Sequence, residues 1–326
     1  MRILVLGAAG MLGRKLAQRL RAADAIEGMT ITRLSLVDIE EPERPAADFD
    51  VNASVTDLTS RSAVADLVSD RPDLIFHLAA VVSGEAEDDF EKGYRVNLDG
   101  VRTLFEEIRL VGTGYRPRVV FCSSIAVFGP PLPDLIGDEQ RTTPATSYGT
   151  QKAIAELLLS DYSRRGFIDG VGLRLPTICV RPGKPNQAAS GFFSSIIREP
   201  LNGEKATLPV PTDVRHWFAS PRSGVGFLVH AAALDTALLG RHRCLTMPGV
   251  SATVATQIDA LRRAAGDEAV ALIRHEPDET IARIVATWPG AFDARRAGAL
   301  GFRTETNFDD IIRAHIEDEL SGGSRS

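Results

Sequence analysis

The residues best suited to chemistry lie together in Thr146-Ser147-Tyr148-Gly149-Thr150-Gln151-Lys152. Tyr148 and Lys152 stand four apart at the front of a segment, Ala153 to Leu159, whose pattern predicts a helix. That spacing stacks both side chains on one helical face. An ammonium beside a phenol favours the phenolate and lowers its pKa from about 10. The positive end of a helix pushes the same way, and Thr146 or Ser147 can cap it. The pair thus predicts a tyrosine that takes a proton from an alcohol near neutral pH. Alone, Tyr-x-x-x-Lys also fits an exposed helix start with a stray lysine. Here the chain holds only four Tyr and five Lys, and the pair follows other ligand-binding signals.

One such signal precedes the pair. Val119 to Cys122 reads as a strand and runs into Ser123-Ser124-Ile125-Ala126-Val127-Phe128-Gly129. Loops at the carboxyl ends of parallel strands are where open α/β sheets bind ligands. Ser123 and Ser124 are placed there to hold a substrate oxygen against Tyr148, with plain turn duty as the competing reading.

The other signal opens the chain. Arg2 to Leu6 is a buried-strand pattern ending in Gly7-Ala8-Ala9-Gly10-Met11-Leu12-Gly13, and a helical segment runs from Arg14 to about Ala23. Strand, glycine loop and helix in that order predict a dinucleotide site. Gly7 permits the tight turn, Gly10 lets the backbone approach a pyrophosphate, and Gly13 allows close helix packing. The amides at the helix start face the anion. A second strand, Thr30 to Val37, ends at Asp38, an acid suited to the adenosine ribose hydroxyls. Ile39 follows, offering no adjacent arginine to a 2′-phosphate, which favours NAD over NADP.

Further cofactor contacts are expected from Met11 and Leu12 in the loop and from Asp57, which opens a helix (Ser60 to Ser69). After a strand from Pro72, Leu78, Ala79 and Ala80 offer small surfaces beneath adenine and ribose, while His77 reads as structural. Asn97, in a helix from Tyr94 to Val111, steadies either that helix or an active-site water. Pro176 and Thr177, after the strand Gly170 to Leu175, complete the set.

The elements that carry these residues fit an ordinary globular composition. The chain has 326 residues, 44% hydrophobic and 25% charged, enough for a large core and two lobes. A net charge of −6 argues against a nucleic-acid partner. Cys122, Cys179 and Cys244 are odd in number and widely spaced, as buried thiols in a reducing compartment would be. No apolar run reaches membrane-spanning length, and a strand begins almost at once, so a cytoplasmic protein is expected. The proline-rich, acidic loop Pro130 to Pro144 is expected to cover the edge of the site. Beyond Leu175 the alternation of strand and helix loosens, as in a smaller lobe folded over the sheet. Ser190 to Ile197 predicts a helix facing the cleft, and Val214 to Phe218 brings a cation, an imidazole and aromatics together. Phe227 to Leu239 reads as a helix, and closing helices follow near Phe292 to Arg296 and at Phe308 to Glu319, before a polar tail, Ser321 to Ser326. No internal repeat and no metal-ligand spacing is present in the sequence.

In order and interval, Gly7, Gly10, Gly13, Asp38, Ser124, Tyr148 and Lys152 resemble the extended short-chain dehydrogenase/reductase superfamily over the first half of the chain. The resemblance implies an α/β fold with a doubly wound parallel sheet (Rossmann) and a smaller C-terminal substrate-binding lobe. It implies an NAD-binding domain over 1–175 and mainly a substrate lobe over 176–326, with about 214–240 returning to the first domain. Tyr148 would be the proton acceptor; Lys152 would lower its pKa and bind the nicotinamide ribose; Ser124 would hold the reacting oxygen. A homodimer through the helices at 94–111 and 148–163 is implied by the same analogy.

The second half departs from the nucleotide-sugar epimerases and dehydratases of that superfamily. Thr177 stands where those enzymes carry an Asn, and their Arg-Asp-(aromatic)-x-x-Val motif reads Arg215-His216-Trp217-Phe218-Ala219-Ser220. Residues 174–183, 190–201, 214–217 and 245–254 instead are similar to the D-erythronate dehydrogenase family. That similarity implies oxidation of the C2 hydroxyl of a four-carbon sugar acid, D-erythronate, with NAD as hydride acceptor and some use of NADP. The substrate carboxylate needs a cation, for which Arg181 and Arg215 are the candidates, and His216, Thr177 and Ser190 are candidates for its hydroxyls. Surface or structural roles compete for each arginine. Two alternatives remain at this level: a nucleotide-sugar epimerase, and a non-catalytic NAD-binding redox sensor.

Overall fold

Short apolar runs separated by glycine loops and helices build a parallel sheet in the computed structural model, which describes residues 1–183 and 190–321. Beyond Ser321 the expected polar tail lies outside the described residues. In chain order the strands that matter are β1 (Arg2–Leu6), β2 (Arg33–Asp38), β3 (Asp50–Val55), β4 (Leu74–His77), β5 (Arg118–Ser124), β6 (Asp169–Leu175), β7 (Thr177–Ile178), β8 (Arg215–Ala219), β9 (Cys244–Thr246) and β10 (Val250–Thr253). The helices are α1 (Met11–Ala23), α2 (Arg61–Ser69), α3 (Gly100–Val111), α4 (Ser147–Arg164), α5 (Gly191–Leu201), α6 (Pro221–Ala233), α7 (Val254–Val270) and α8 (Phe308–His315).

The central sheet runs β9-β6-β5-β4-β1-β2-β3, every neighbour parallel. The chain moves outward from β1 to β3 and then returns to β4 on the other side of β1. The loops after β1 and β4 therefore diverge, opening a crevice at the carboxyl ends of the strands. Helices cover both faces, so the inner strands are apolar throughout rather than alternating. Ile3 and Val5 of β1 pack with Leu16 and Leu20 of α1 and Phe227 and Leu228 of α6. Leu4 and Leu6 point the opposite way, into a cluster with Val64 of α2, Phe105 of α3 and Leu159 of α4. A second core, formed by α5, α7 and α8 around the small sheet β10-β8-β7, makes the other lobe. Strand β8 joins the two: Phe218 lies in the second core and Ala219 in the first.

Several boundaries differ from the sequence reading for local reasons. α4 extends well beyond Ala153 to Leu159, because Thr146 caps it by accepting from the Gly149 amide at 3.0 Å. α6 starts at Pro221, capped by Ser220, and ends at Ala233; residues 236–239 form a separate 3-10 turn. β2 begins at Arg33, since Thr30 belongs to a small hairpin between Ala25–Ile26 and Met29–Thr30. The edge strand β3 escaped the pattern because it is polar and mostly exposed. A wide π turn, Arg95–Asp99, interrupts the helix read from Tyr94 to Val111.

Two glycines make the crevice possible. Gly7 has φ +89°, and a Cβ there would lie 2.5 Å from the Ala79 amide nitrogen of the neighbouring loop. A Cβ on Gly13 would sit on the carbonyl oxygen of Gly7. Replacing Gly13 with Ala therefore forces α1 away from β1 at a cost of about 1–3 kcal/mol. A urea titration of Gly13→Ala should show a lower midpoint than the parent protein, and an unchanged midpoint would mean that helix and loop have slack.

Candidate active site

The first turns of α4 set Tyr148 and Lys152 against the end of β5. Lys152 is 2% exposed, and its Nζ donates to the Cys122 carbonyl at 2.9 Å. The ammonium lies 4.9 Å from the centre of the Phe121 ring and 5.7 Å from that of Tyr148. Ser124 ends β5, and its Oγ accepts from the Ala126 amide at 3.1 Å, which starts a 3-10 turn over Ile125–Val127. Ser124, Tyr148 and Lys152 are thus brought together.

Their electrostatics differ from the sequence expectation. Burial pushes the Tyr148 phenol up to about 12, the Cys122 thiol adds to that, and the Ser124 hydroxyl and the Arg181 guanidinium act downward. Burial pushes Lys152 down to about 8 against the pull of Cys122 and Glu156. Desolvation therefore outweighs the neighbouring charges. Lys152 is turned toward a backbone carbonyl, and the cation that draws the phenol down is Arg181. The helix terminus gives less help than expected, because Glu87 accepts from the Ser147 amide at 2.5 Å and sets an anion at that positive end.

The sides of β5 separate the two serines. Val119 and Phe121 face α3 and α4, whereas Val120 and Cys122 face the opposite core. Ser123 falls on the α4 side, 3% exposed, and its Oγ donates to Glu156 Oε1 at 2.5 Å. The expectation that Ser123 meets substrate is corrected: strand alternation turns it away from Ser124.

The cofactor residues fit NAD. Gly10 is exposed at the start of α1 and no side chain caps that helix, so its amides are open to a pyrophosphate. The Asp38 carboxylate accepts from the Ala9 amide at 2.8 Å and the Ile39 amide at 2.7 Å, one bond to each oxygen. A lone pair on each oxygen remains for ribose hydroxyls. Glu40 and Glu41 follow, adding charge that repels a 2′-phosphate. Met11 and Leu12 flank the loop, and Leu78, Ala79 and Ala80 lie half-buried beside it. Asp57 is exposed after β3 and is held below the usual carboxylate range by the Thr59 amide, 2.9 Å away. Pro176 is buried between β6 and β7. Asn97 is fully buried in the π turn. It bonds the Val81 amide and carbonyl at 2.8 and 3.1 Å and donates to Gln151 Oε1 at 2.8 Å. Both its amide hydrogens are used, so Asn97 positions the loop after β4 rather than touching a cofactor.

Of the proposed substrate contacts, the structure joins Arg181 to Ser190, and the Arg181 charge acts on the phenol. Arg181 Nε donates to the Ile178 carbonyl at 3.0 Å and Nη2 to Ser190 Oγ at 2.8 Å. His216 is corrected. Its Nδ1 lies 3.2 Å from the Pro289 carbonyl and must carry the proton, so Nε2 accepts from Thr177 Oγ1 at 2.7 Å. The ring stacks on Phe193 with centroids 5.2 Å apart, and burial pushes it down to about 3. His216 is a neutral strut that aims Thr177. Arg215 lies on the other side of β8, exposed, with Nη1 3.4 Å from Ser251 Oγ. Among the described residues no hydrogen bond or ion pair joins Arg215 to Tyr148 or Arg181. Sequence reasoning missed Glu156 and Arg174, although Glu156 continues the four-residue spacing of 148 and 152. No group of His, Cys, Asp or Glu among the described residues is set to hold a metal.

Residues 3–218 match the NAD dependent epimerase/dehydratase family. The chain belongs to that family. It is 47% identical over 322 residues to a D-erythronate dehydrogenase of Cupriavidus necator, covering 98% of both chains. It is 41% identical over 320 residues to one of Haemophilus influenzae, covering 98% of this chain and 100% of that one. A crystal structure described as the nucleoside-diphosphate-sugar epimerase from Agrobacterium tumefaciens shares 60% identity with a TM-score of 0.96, over 99% of this chain and 95% of that one. An L-threonine dehydrogenase from Clostridium difficile superposes with a TM-score of 0.84 at 20% identity, over 99% of this chain and 98% of that one, a likeness of fold alone.

Two titrations test the electrostatics. Ultraviolet difference titration of the cofactor-free parent protein against Tyr148→Phe should show the missing phenol ionising near 12, and a missing transition at about 10 would contradict the burial argument. His77 and His216 are both pushed down to about 3 by burial. The unfolded chain takes up those protons from about 6.5, so stability should fall as pH drops from about 6.5 toward 3. Chemical unfolding across that range should show a shallower fall for His216→Gln, and an equal slope would count against the neutral strut.

Proposed function

We propose that this chain oxidises the C2 hydroxyl of D-erythronate to 2-dehydro-D-erythronate (2-oxo-tetronate), with NAD as the cofactor, as a step of sugar-acid catabolism. The observation that carries this reading is Arg181. Its guanidinium is largely enclosed, its charge is felt at Tyr148, and among the described residues no carboxylate pairs with it. Two other enclosed arginines are paired with carboxylates, Arg174 with Glu156 and Arg198 with Glu199. An enclosed cation without an anion is costly, and a substrate carboxylate relieves that cost while fixing the molecule. The charge of that cation acts on the phenol, so an acid bound at Arg181 brings a hydroxyl near its carboxylate toward Tyr148. That is the arrangement of a 2-hydroxy acid.

The residues then divide the work. Arg181 binds and orients the carboxylate, with Ser190 holding the guanidinium. Thr177, aimed by His216, accepts from a distal hydroxyl. Ser124 and Tyr148 bracket the C2 hydroxyl, and Tyr148 Oη receives its proton. Once the acid neutralises Arg181, Lys152 is the cation left near the phenol, 5.7 Å from its ring centre, to favour the phenolate, and it donates to the nicotinamide ribose. NAD, when bound, supplies the acceptor for the hydride that leaves C2. We assign cofactor binding to residues 1–175 and substrate binding mainly to 176–326, with about 214–240 packing back on the sheet. Leu110 and Leu157, exposed on α3 and α4, suit pairing of two copies through those helices. Three free thiols suit a reducing cytoplasm, and no helix among the described residues is long and apolar enough to cross a membrane.

The description of the Agrobacterium structure favours a second reading, a nucleotide-sugar epimerase, in which NAD is reduced and reoxidised within one turnover. Following NADH absorbance separates the two: D-erythronate should accumulate NADH and UDP-sugars should not. Tyr148→Phe should lose about 10²–10⁴-fold in turnover while still binding NAD. Arg181→Gln should cost about 2–5 kcal/mol of substrate binding, roughly 30-fold or more in KM for the acid, with the KM for NAD unchanged. Arg215→Gln is the control and should change that KM little. Near-normal turnover by Tyr148→Phe would exclude the scheme.

A further inference from the structure

Beneath the site lies a buried assembly that the scheme above does not use. Glu156 sits one turn past Lys152 on α4, its side chain 6% exposed. Arg174 grips both its oxygens, with Nε at 2.9 and 3.1 Å and Nη2 at 2.7 Å. Ser123 donates to Oε1 at 2.5 Å. Ser123 and Arg174 are direct partners across β5 and β6, so both rise toward α4 from one face of the sheet. The Arg174 guanidinium also lies 5.1 Å from the centre of Phe128, in the loop that carries Ser124 onward.

Each arm belongs to an element that carries the chemistry. Ser123 is bonded to Ser124. Glu156 shares a helix with Tyr148 and Lys152. Arg174 leads through β6 and β7 to Thr177 and Arg181. We propose that Glu156, gripped by Ser123 and Arg174, is the positioning residue of this active site: it locks the three elements in register and sets a buried carboxylate one helical turn from Lys152. Buried ion pairs add little net stability against an apolar alternative, so holding geometry is the use that fits this one.

The surroundings of the two charged ends are specific. Lys152 faces His77 from β4, Cys122 from β5, and Tyr148 and Glu156 from its own helix. The Glu156–Arg174 pair faces Cys244 from β9 and Asp138 from the loop before α4. Of the groups around Lys152, Glu156 is the carboxylate that favours its charged form.

This inference rests on Ser124, Tyr148 and Lys152 as the catalytic set, and the experiment keeps the two apart. NADH formation from D-erythronate is followed from about pH 5 to about pH 10, a range that brackets Lys152 deprotonation at about 8, for the parent enzyme, Tyr148→Phe, Glu156→Gln and Ser123→Ala. In Glu156→Gln the ammonium loses its anion, so the limb on which Lys152 deprotonates should move down by about 1 pH unit. Its kcat should fall about tenfold with the KM for NAD unchanged. Ser123→Ala keeps the ion pair and the fold and should lower kcat about fivefold, again without raising the KM for NAD. A folded Glu156→Gln enzyme with an unmoved limb overturns the proposal. So does parental kcat in Ser123→Ala, even where Glu156→Gln does not fold. If Tyr148→Phe keeps turnover, the catalytic assignment fails instead, whatever Glu156→Gln does.

Discussion

The structure depends on taking charge out of water around one phenol. Lys152 and Arg181 both approach Tyr148 inside the protein, where an ion loses its hydration and regains it only from fixed partners. Each is given some but not all of what it lost. Lys152 has one backbone carbonyl, and Arg181 has a carbonyl and a hydroxyl. Among the described residues these are their side-chain hydrogen bonds, and the remaining donors are the ones the proposed function gives to ribose hydroxyls and to a carboxylate. Burial holds the phenol neutral, pushed up to about 12.

The sheet makes this arrangement affordable in geometry. A parallel sheet delivers successive carboxyl ends to one edge, and here β1, β4, β5 and β6 place the glycine loop, the Leu78-Ala79-Ala80 floor, Ser124 and the Thr177–Arg181 segment along it. Helix α4 crosses above β5 and β6, which lets three of its residues, 148, 152 and 156, reach different depths. The first two are the residues assigned above to substrate and cofactor, and the third bonds the sheet through Ser123 and Arg174. Asn97 and Gln151 brace the loop after β4 in the same manner, by side-chain bonds that replace missing strand partners.

Much of this was legible in the residue order. The glycine loop, Asp38, Ser124, Tyr148 and Lys152 announce themselves by type and spacing, because each has a local backbone reason to stand where it does. Relations between distant strands did not announce themselves. Nothing near Ser123 says that it faces Arg174, since that requires the register of β5 on β6. Nothing near His216 says that its proton is fixed by the carbonyl of Pro289. The preference for Arg181 over Arg215 likewise rests on burial, since Arg215 is exposed and Arg181 is not. The sign of the Tyr148 shift failed for a related reason: spacing reveals a neighbouring charge but not how much water has been removed.

The measurement that reaches the central claim most directly uses labelled acid. D-erythronate carrying deuterium at C2 should pass one deuterium to the nicotinamide ring and turn over more slowly than the unlabelled acid. Unlabelled NADH formed at the same rate as from the unlabelled acid, as oxidation at C3 would give, would contradict an anchored carboxylate beside the Tyr148 phenol.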